Sequence, residues 1–404
     1  MPRIDGKRLR ELRRSHGWDA LEMARRLRIA AGRDSLPDHD ALVRMIRRWE
    51  REGLNTSRAE RYELLYSAVL GVRPEELRGV SHPAKPQAVE RREDAQPPDV
   101  ITALADALHG RAAEYPGRGR AQLERDVLRA WKLRQSSAYV ELGELLTDLL
   151  QDIGSRQGDE SSAIHVYNLA SAMCKGIGAH EIAAVLADRA YLTARREGSG
   201  LLIGAAKMRV ANTYLAAGRC AEAVAVAAAA AEDLPPRSDS PPEEIATFGS
   251  LVLTAAVAAA RMGEAAQAWE FLGHARAATA FYDRDHADLY AVFGPANLAI
   301  HGVQVATDLG DGREALRRAE RTDPRRLPAV LLERRTTLLV DIARAQHMER
   351  DATGAADTLL EAERVAPLEV RYSGAARGLL GELLAAGRPS GELRALAERL
   401  SIAA

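Results

Sequence analysis

The feature that most constrains the fold is a helix-break-helix unit that recurs along the second half of the chain. Three segments share a Gly that ends one helix and an Ala five residues later: LAAGRCAEAVAVA at 215–227, ARMGEAAQAWEFL at 260–272 and TDLGDGREALRRA at 307–319. The three glycines, at 218, 263 and 310, lie 45 and then 47 residues apart. Looser copies follow around Arg350 and Gly387. Small residues at equivalent positions allow close helix packing, so the pattern predicts an array of stacked helix pairs.

The composition agrees with a helical protein. Aromatic residues make up 4% of the chain, and Ala, Leu, Arg and Glu, which are strong helix formers, dominate. An all-α fold with almost no sheet is therefore expected. Cys174 and Cys220 have no metal-ligand spacing, which favours a reducing compartment and no metal site.

Neither a signal peptide nor a membrane span is predicted. The N-terminal segment MPRIDGKRLRELRRS has no apolar stretch behind its basic residues. The longest Ala-rich runs, Ala223–Ala231 and Ala255–Ala260, are shorter than the ~18 apolar residues of a membrane helix. We therefore expect a cytoplasmic protein with no membrane partner.

The charge is distributed unevenly between two segments. Residues 1–79 contain 18 Arg and Lys against 13 Asp and Glu, whereas the remainder contains 38 against 44. The first segment is therefore net basic and the second net acidic. This asymmetry indicates that the first segment has an anionic partner.

Short helices are predicted in the basic segment. One runs from Gly6 to about Ser15, and Asp19 caps a second through ALEMARRLRIA, with Leu21, Ala24 and Leu27 as its buried stripe. A third starts near Asp38 and ends near Gly53, and a fourth covers RYELLYSAVL.

The third predicted helix carries two opposite stripes. Leu42, Met45, Ile46 and Trp49 recur on one side, and Arg44, Arg47, Arg48 and Arg51 recur on the other. Ordinary surface helices mix charges of both signs, so a purely arginine stripe favours an anionic partner such as phosphate or the guanine edge. A merely solvated charged face remains the alternative.

The first 79 residues resemble the helix-turn-helix domain of the XRE (lambda repressor-like) transcription regulators, especially actinobacterial ones. The resemblance rests on LEMARRL, MIRRWEREG and GVRPEELRG, and above all on the spacing of Ile46, Trp49, Glu50 and Gly53. It implies that the third helix lies in the DNA major groove. The segment before that helix is longer than the usual turn of the family.

The resemblance implies a set of DNA contacts. Arg44, Arg47 and Arg48 are expected at base edges, Arg51 at phosphate and Val43 at a thymine methyl, with His39 and Asp40 near the start of the reading helix. Arg10, Arg13 or Arg14 on the first helix would add phosphate contacts.

Residues 80–98 are rich in Pro and charge and are predicted to be a linker. Residues 99–404 resemble tetratricopeptide (TPR) repeats, although the family period of about 34 is shorter than the spacing here. The resemblance implies an α-solenoid whose first helices line a concave surface. The expected organisation is thus an N-terminal helix-turn-helix domain, a linker and a TPR-like sensor and dimerisation domain.

Asparagines recur inside the first helices of this array, where Asn is a poor helix former. Regulators of the resembling type that sense short peptides use such contacts, so we expect these amides to lie exposed in a groove, bonded to water when it is empty. Buried polar residues bonding between helices are the alternative. The candidate ligand contacts are Asn168, Asn212, Asn297 and Asp341, with His165, Arg209, His301 and Arg344 one turn away.

Catalysis has little support, because the chain lacks nucleophile-elbow, zincin and P-loop motifs. We expect a non-enzymatic transcription regulator that needs no cofactor. As one reading helix covers only a few base pairs, a homodimer on a near-palindromic operator is expected, with a peptide or small molecule as effector. The alternative is a solenoid scaffold for other proteins with a weak DNA-binding domain.

Overall fold

The chain divides into two compact units, Met1–Arg92 and Glu93–Ala404. The computed structural model describes residues 4, 6–15, 18–31, 36–54, 62, 65–66, 69–70, 77, 97–109, 118–155, 159–237, 239–281, 286–287, 291–322, 331–386 and 390–402. The boundary between the units falls inside the predicted linker 80–98. A helix begins at Pro97, so the linker ends earlier than the sequence predicts.

Three consecutive helices form the described part of the first unit. They are α1 (Gly6–Ser15), α2 (Ala20–Ala31) and α3 (His39–Glu52). The carboxylates of Asp19 and Asp38 accept hydrogen bonds of 2.8 Å from the backbone N–H groups of Glu22 and Ala41. These caps satisfy amide donors that a helix start leaves without partners. The predicted bounds of all three helices agree with the structure.

The core of the first unit is apolar and draws on every described helix. Its fully buried members include Leu9, Met23, Leu27, Leu42 and Ile46. Leu21, predicted to lie in the buried stripe of α2, is 48% exposed, and Met23 occupies the core instead. Half of the predicted helix around 61–70 lies outside the described residues, although Tyr62, Tyr66 and Leu70 contribute buried side chains.

The described part of the second unit is almost entirely helical, as expected for an all-α protein. A two-stranded antiparallel ladder, β1 (His286–Ala287) and β2 (Val292–Phe293), is a small addition to it. The helices are α4 (Pro97–His109), α5 (Arg120–Gln135), α6 (Tyr139–Ser155), α7 (Glu160–Gly176), α8 (His180–Glu197), α9 (Gly200–Ala216), α10 (Cys220–Glu232), α11 (Pro242–Arg261), α12 (Ala265–Ala278), α13 (Pro295–Asp308), α14 (Gly312–Glu320), α15 (Leu332–Met348), α16 (Ala352–Val365), α17 (Pro367–Tyr372), α18 (Gly374–Ala385) and α19 (Gly391–Arg399).

Five successive helix pairs build the body of the second unit. From α7–α8 to α15–α16, each helix packs on its partner, and each first helix also packs on the first helix of the next pair. Every first helix ends two residues before a residue with φ between 65° and 80°: Gly178, Gly218, Gly263, Gly310 and Arg350. In each case the Ala five residues later has no exposed surface. The helix breaks found in the sequence are therefore real and equivalent, although the looser copy around Gly387 lies outside the described residues.

Contacts distant in sequence join the early helices of this unit to a late one. The carboxylate of Glu369, on α17, accepts hydrogen bonds from Arg134 at 3.1 Å, Ser137 at 2.8 Å and Tyr139 at 2.8 Å. Arg134, at the end of α5, also lies 3.3 Å from Glu333 at the start of α15. The first helices of the pairs are thereby held around a common space.

The helix α11 is the most apolar long helix in the described part of the chain. It has 20 residues, and an 18-residue window within it has a mean hydropathy of 1.4, which is enough in length and composition to cross a membrane. The expectation that no segment reaches this length is therefore wrong. However, 78% of its apolar window is buried, and Gly249 leaves room for the ring of Phe293 from β2.

Candidate functional site

The helix α3 presents an arginine face to the outside of the first unit. Arg44, Arg47, Arg48 and Arg51 are all exposed, as their spacing predicts. None of the four forms an ion pair with a residue that the structure describes, and Arg51 donates to the backbone oxygen of Arg47 at 3.3 Å. By contrast, two of the three arginines of α2 are paired, with Glu22 lying 3.0 Å from Arg25 and 2.7 Å from Arg26.

The opposite face of α3 is locked into the core. Leu42, Ile46 and Trp49 are buried, and the Trp49 ring lies 4.6 Å from the Tyr62 ring between centroids. Val43 also belongs to this face, since it is 6% exposed. Its side chain is therefore held in the core rather than on the arginine face, against the expectation that it contacts a thymine methyl.

The carboxyl end of α3 is tied to α1 by a buried ion pair. Arg13 donates from Nε and Nη2 to the two carboxylate oxygens of Glu50, at 2.5 Å and 2.8 Å. Arg10 donates to the backbone oxygen of Glu50 at 3.1 Å. The expectation that Arg13 binds phosphate is wrong, because it is buried in this pair. The paired geometry fixes the direction of α3, as bidentate guanidinium contacts do.

The amino end of α3 is less completely described. Asp40 is exposed there, beside the cap formed by Asp38. The side chains of His39 and Arg14 lie outside what the structure describes, so their predicted DNA contacts stay predictions.

A cavity of about 450 Å³ lies among the first helices of the pairs in the second unit. Its walls come from α5, α7, α9, α11, α13 and α15, together with residues beside β2 and α17. Its volume is within the range of small-molecule sites. The apolar lining includes Met208, Leu253, Val257 and Val340.

Most of the predicted ligand contacts meet in this cavity. Its lining includes Asn212, Asn297, Asp341, Arg209, Arg344 and His301. Asn168 and His165 are not part of it, because both lie nearer the start of α7 than the lining residues Ala172 and Lys175. Burial lowers the pKa of His165 to about 4.

The two asparagines of the cavity lining differ in their hydrogen bonds and burial. The amide of Asn212 donates to the backbone oxygen of Met208 in its own helix at 2.9 Å, and its side chain is partly exposed. Asn297 is 2% exposed and donates to the backbone oxygen of Val292 at 2.6 Å, which links α13 to β2. The expectation of amides bonded only to water is therefore wrong for both residues.

A carboxylate surrounded by cations occupies one wall of the cavity. Glu333 lies 3.3 Å from Arg134 and 3.6 Å from Arg334. Burial opposes its charge, yet Arg134, Arg334, Lys175 and Arg209 together hold the pKa of Glu333 below its usual range. Glu333, Arg334, Arg134 and Lys175 are site residues that the sequence analysis missed.

Lys175 and Arg209 also line this wall. The pKa of Lys175 is lowered to about 8 by burial and, to a smaller extent, by three nearby arginines, while Glu333 opposes the shift. Burial likewise lowers the pKa of Arg209 to about 10, again assisted by neighbouring arginines. Among the described residues, four cationic side chains therefore lie around Glu333.

Farther along α15, the arginines of the cavity are paired with carboxylates. Arg344 donates to Asp308 at 2.9 Å and to Asp341 at 3.0 Å, and Arg261 lies 3.1 Å from Asp308. Burial raises the pKa of Asp341 to about 7 despite these arginines. Arg344 is thus held by carboxylates and not directed at a ligand alone.

His301 completes the polar lining. Burial lowers its pKa to about 4, so the ring is neutral near pH 7. Nδ1 lies 2.9 Å from the backbone oxygen of Asn297, which can only accept a hydrogen bond. Nδ1 therefore carries the proton, and Nε2 is left as an acceptor.

No metal site accompanies this cavity in the described residues, where no group of three His, Cys, Asp or Glu side chains is arranged to hold an ion. In comparisons with known proteins, the chain shows no significant match to a family model, a curated protein or a solved structure.

Proposed function

We propose that this chain is a sequence-specific DNA-binding transcription regulator. Its first unit is an XRE-type helix-turn-helix domain, and its second unit is a TPR-like α-solenoid that dimerises and binds an effector. The observation that carries the proposal is the exposed arginine face of α3, which forms no ion pairs among the described residues while the opposite face is fixed in the core.

The chemistry of that face suits DNA. A guanidinium makes paired hydrogen bonds to phosphate oxygens or to the O6 and N7 atoms of guanine. Four of them on one helix would repel one another without an anionic partner. The buried pair of Arg13 and Glu50 and the packing of Trp49 hold the helix in one orientation, which base reading requires.

The second unit supports a sensor function. Helix pairs stacked through their first helices, with equivalent breaks, are the arrangement of TPR-like solenoids. The cavity among those first helices has the size of an effector site. Since one reading helix covers a short half-site, two copies act together, and the effector alters the geometry of the dimer.

The experiment is recovery and sequencing of genomic fragments bound by the purified protein at physiological salt. We expect paired half-sites, and Arg44→Ala or Arg47→Ala should weaken operator binding by about 10- to 100-fold for each lost base contact. The melting temperature should stay unchanged. Arg120→Ala, an exposed arginine on α5, is the control.

Unchanged operator affinity in both α3 variants would contradict the assignment of α3. A wild-type protein that enriches no fragments over a DNA-free matrix would instead support the scaffold alternative, in which the second unit binds another protein.

A further inference from the structure

Two large apolar side chains are exposed on α8, the second helix of the first of the five pairs. Val185 is 43% exposed and Leu192 is 48% exposed. They are seven residues apart, which is about two helical turns, so they lie on the same side of the helix. The other side packs on α7 and α9, with Leu186 and Ala190 fully buried. An apolar stripe therefore faces away from the helices that hold α8 in place.

This stripe distinguishes α8 from the second helices of the other pairs. In the described residues of α10, α12, α14 and α16, no large apolar side chain is exposed. The exposed positions of α10, for example, include Ala221, Ala225 and Ala229. Aligned large apolar residues with charged neighbours are typical of a surface that contacts another protein surface.

Charges of opposite sign lie at the two ends of the stripe. Glu181 is exposed in the first turn of α8, and Arg196 is exposed in its last turn. The point halfway between Val185 and Leu192 is also halfway between Glu181 and Arg196. A two-fold rotation about this point therefore exchanges the two apolar residues with each other, and it exchanges the acidic residue with the basic one.

A second copy of α8, packed antiparallel across such a two-fold axis, is complementary to the first. Val185 then lies opposite Leu192 of the second copy, and Glu181 lies opposite Arg196 of the second copy. A parallel arrangement would instead bring Glu181 against Glu181 and Arg196 against Arg196, and repulsion between like charges disfavours this arrangement. The charges thus favour a second copy of this chain as the partner and an antiparallel direction for it.

The centre of the stripe agrees with this arrangement. Asp188 and Arg189 lie on either side of the midpoint, so an antiparallel copy places the carboxylate of one chain near the guanidinium of the other. Asp188 is exposed, and Arg189 donates to the backbone oxygen of Leu108 on α4 at 2.9 Å. Because this bond orders the Arg189 side chain before association, less conformational entropy is lost when the two copies meet.

The exposed leucine of α5 lies among charges of mostly one sign. Leu128 is 48% exposed, the same fraction as the leucine of α8. Within about one turn of it, Arg125, Arg129 and Lys132 are exposed beside a single carboxylate, that of Glu124. Two copies that met at this face would bring an excess of positive charge against itself. Self-association is therefore not expected on α5, and Leu128 is a matched control for the leucine of α8.

We propose that two copies of this chain dimerise through the exposed face of α8, antiparallel about a two-fold axis. The inference rests on the proposed homodimer and names the surface that forms it. Such an isologous contact is self-complementary, as the interface of a two-fold dimer must be. One helix pair is a small interface, so the association is reversible, with a dissociation constant in the micromolar range.

The test is sedimentation equilibrium of the full chain without DNA, over about 1–100 µM. We expect the average mass to rise from that of a monomer towards twice that value. Leu192→Glu should weaken the dimer by about 100-fold or more, because each copy then desolvates a charge in the contact. Leu128→Glu should associate as the wild type does. Both positions are exposed, so both variants should keep the melting temperature of the wild type.

A charge-reversal series tests the antiparallel direction. Glu181→Arg and Arg196→Glu should each weaken the dimer by about tenfold, because two ion pairs per dimer become repulsive. The variant with both changes should recover to within about threefold of the wild type, since the reversed charges are again opposite. A purely structural role of either residue would give no such recovery.

Four results would each overturn the inference. They are a wild-type monomer at every concentration, wild-type association by Leu192→Glu, equal losses in Leu192→Glu and Leu128→Glu, and no recovery in the double charge reversal. Because the measurement contains no DNA, its outcome is independent of operator binding. A monomer that still binds a half-site would refute the dimer alone, whereas a dimer that binds no DNA would refute the assignment of α3 alone.

Discussion

The arginine face of α3 and the cationic wall of the cavity place the same kind of charge in opposite settings. Arg44, Arg47, Arg48 and Arg51 are exposed. Around the cavity, Lys175 and Arg209 are surrounded by protein, and burial lowers the pKa of both. Exposed cations cost little folding free energy because water solvates them, whereas buried cations must be offset by carboxylates or a ligand.

In the first unit, the residues that stabilise the fold are not the residues proposed to bind DNA. In the second unit, one residue can both stabilise the fold and line the site. On α3, the side chains that stabilise the first unit face away from those proposed to bind DNA. In the cavity, Asn297 both joins α13 to β2 and lines the site. Substitutions should therefore have separable effects in the first unit and combined effects in the second.

The largest expected effect tests that separation on α3. Trp49→Ala should lower the free energy of unfolding of the first unit by about 3–5 kcal/mol, because it leaves a cavity beside Tyr62 and Tyr66. DNA binding should be lost with it. Denaturant unfolding measures the change, and Arg48→Ala, an exposed change on the same helix, should stay within about 0.5 kcal/mol of wild type. Similar losses of unfolding free energy in Trp49→Ala and Arg48→Ala would contradict the separation of the two faces of α3.

A loss of stability of intermediate size should distinguish the two asparagines of the cavity. Asn297→Ala should destabilise the second unit by about 1–3 kcal/mol, because it removes a buried amide that donates to the backbone oxygen of Val292. Asn212→Ala should change stability by no more than about 0.5 kcal/mol, since its bond lies within one helix and its side chain is partly exposed. Calorimetric melts of both variants check this, and the reverse order would place Asn297 in the solvated part of the cavity.

The last prediction concerns how the free energy of unfolding changes with pH, a change that is small over any one pH unit. Because burial raises the pKa of Asp341 to about 7, the folded state holds its proton more tightly than the unfolded state. The contribution of Asp341 to the free energy of unfolding is therefore fully present below about pH 4. It is lost as the pH rises toward 7, by at most about 1.4 kcal/mol per pH unit. Asp341→Asn should flatten this part of the profile. Parallel profiles for the variant and wild type would exclude Asp341 as its source.

Features set by neighbours in sequence were predictable. The two faces of α3 follow from a helical period of 3.6 residues, and Asp19 and Asp38 cap helices by local geometry. The breaks at Gly218, Gly263 and Gly310 were found because a left-handed residue after a helix favours glycine. The predicted burial of Leu21 and exposure of Val43 were wrong, because packing by other helices decides which side chains beside a stripe are buried.

The cationic wall could not be predicted in the same way. Arg209 was expected near the site, but Arg134, Lys175 and Glu333 come from three other helices, and their meeting depends on how the helices stack, which no local pattern encodes. One signal was present in the sequence: Lys175 lies seven residues after Asn168, on the same helical face. The asparagine pattern located Asn212 and Asn297 correctly, but not the hydrogen bonds that hold them.

The three hydrogen bonds to Glu369 also limit how the number of helix pairs can change in evolution. In an open repeat array each pair contacts only its neighbours, so pairs can be gained or lost by duplication and deletion. Here Arg134, Ser137 and Tyr139 must reach a carboxylate more than 200 residues away. Inserting or removing one pair would displace Glu369 by about the 8–10 Å between packed helices, beyond the reach of these side chains. These contacts therefore favour a fixed number of helix pairs between α5 and α17.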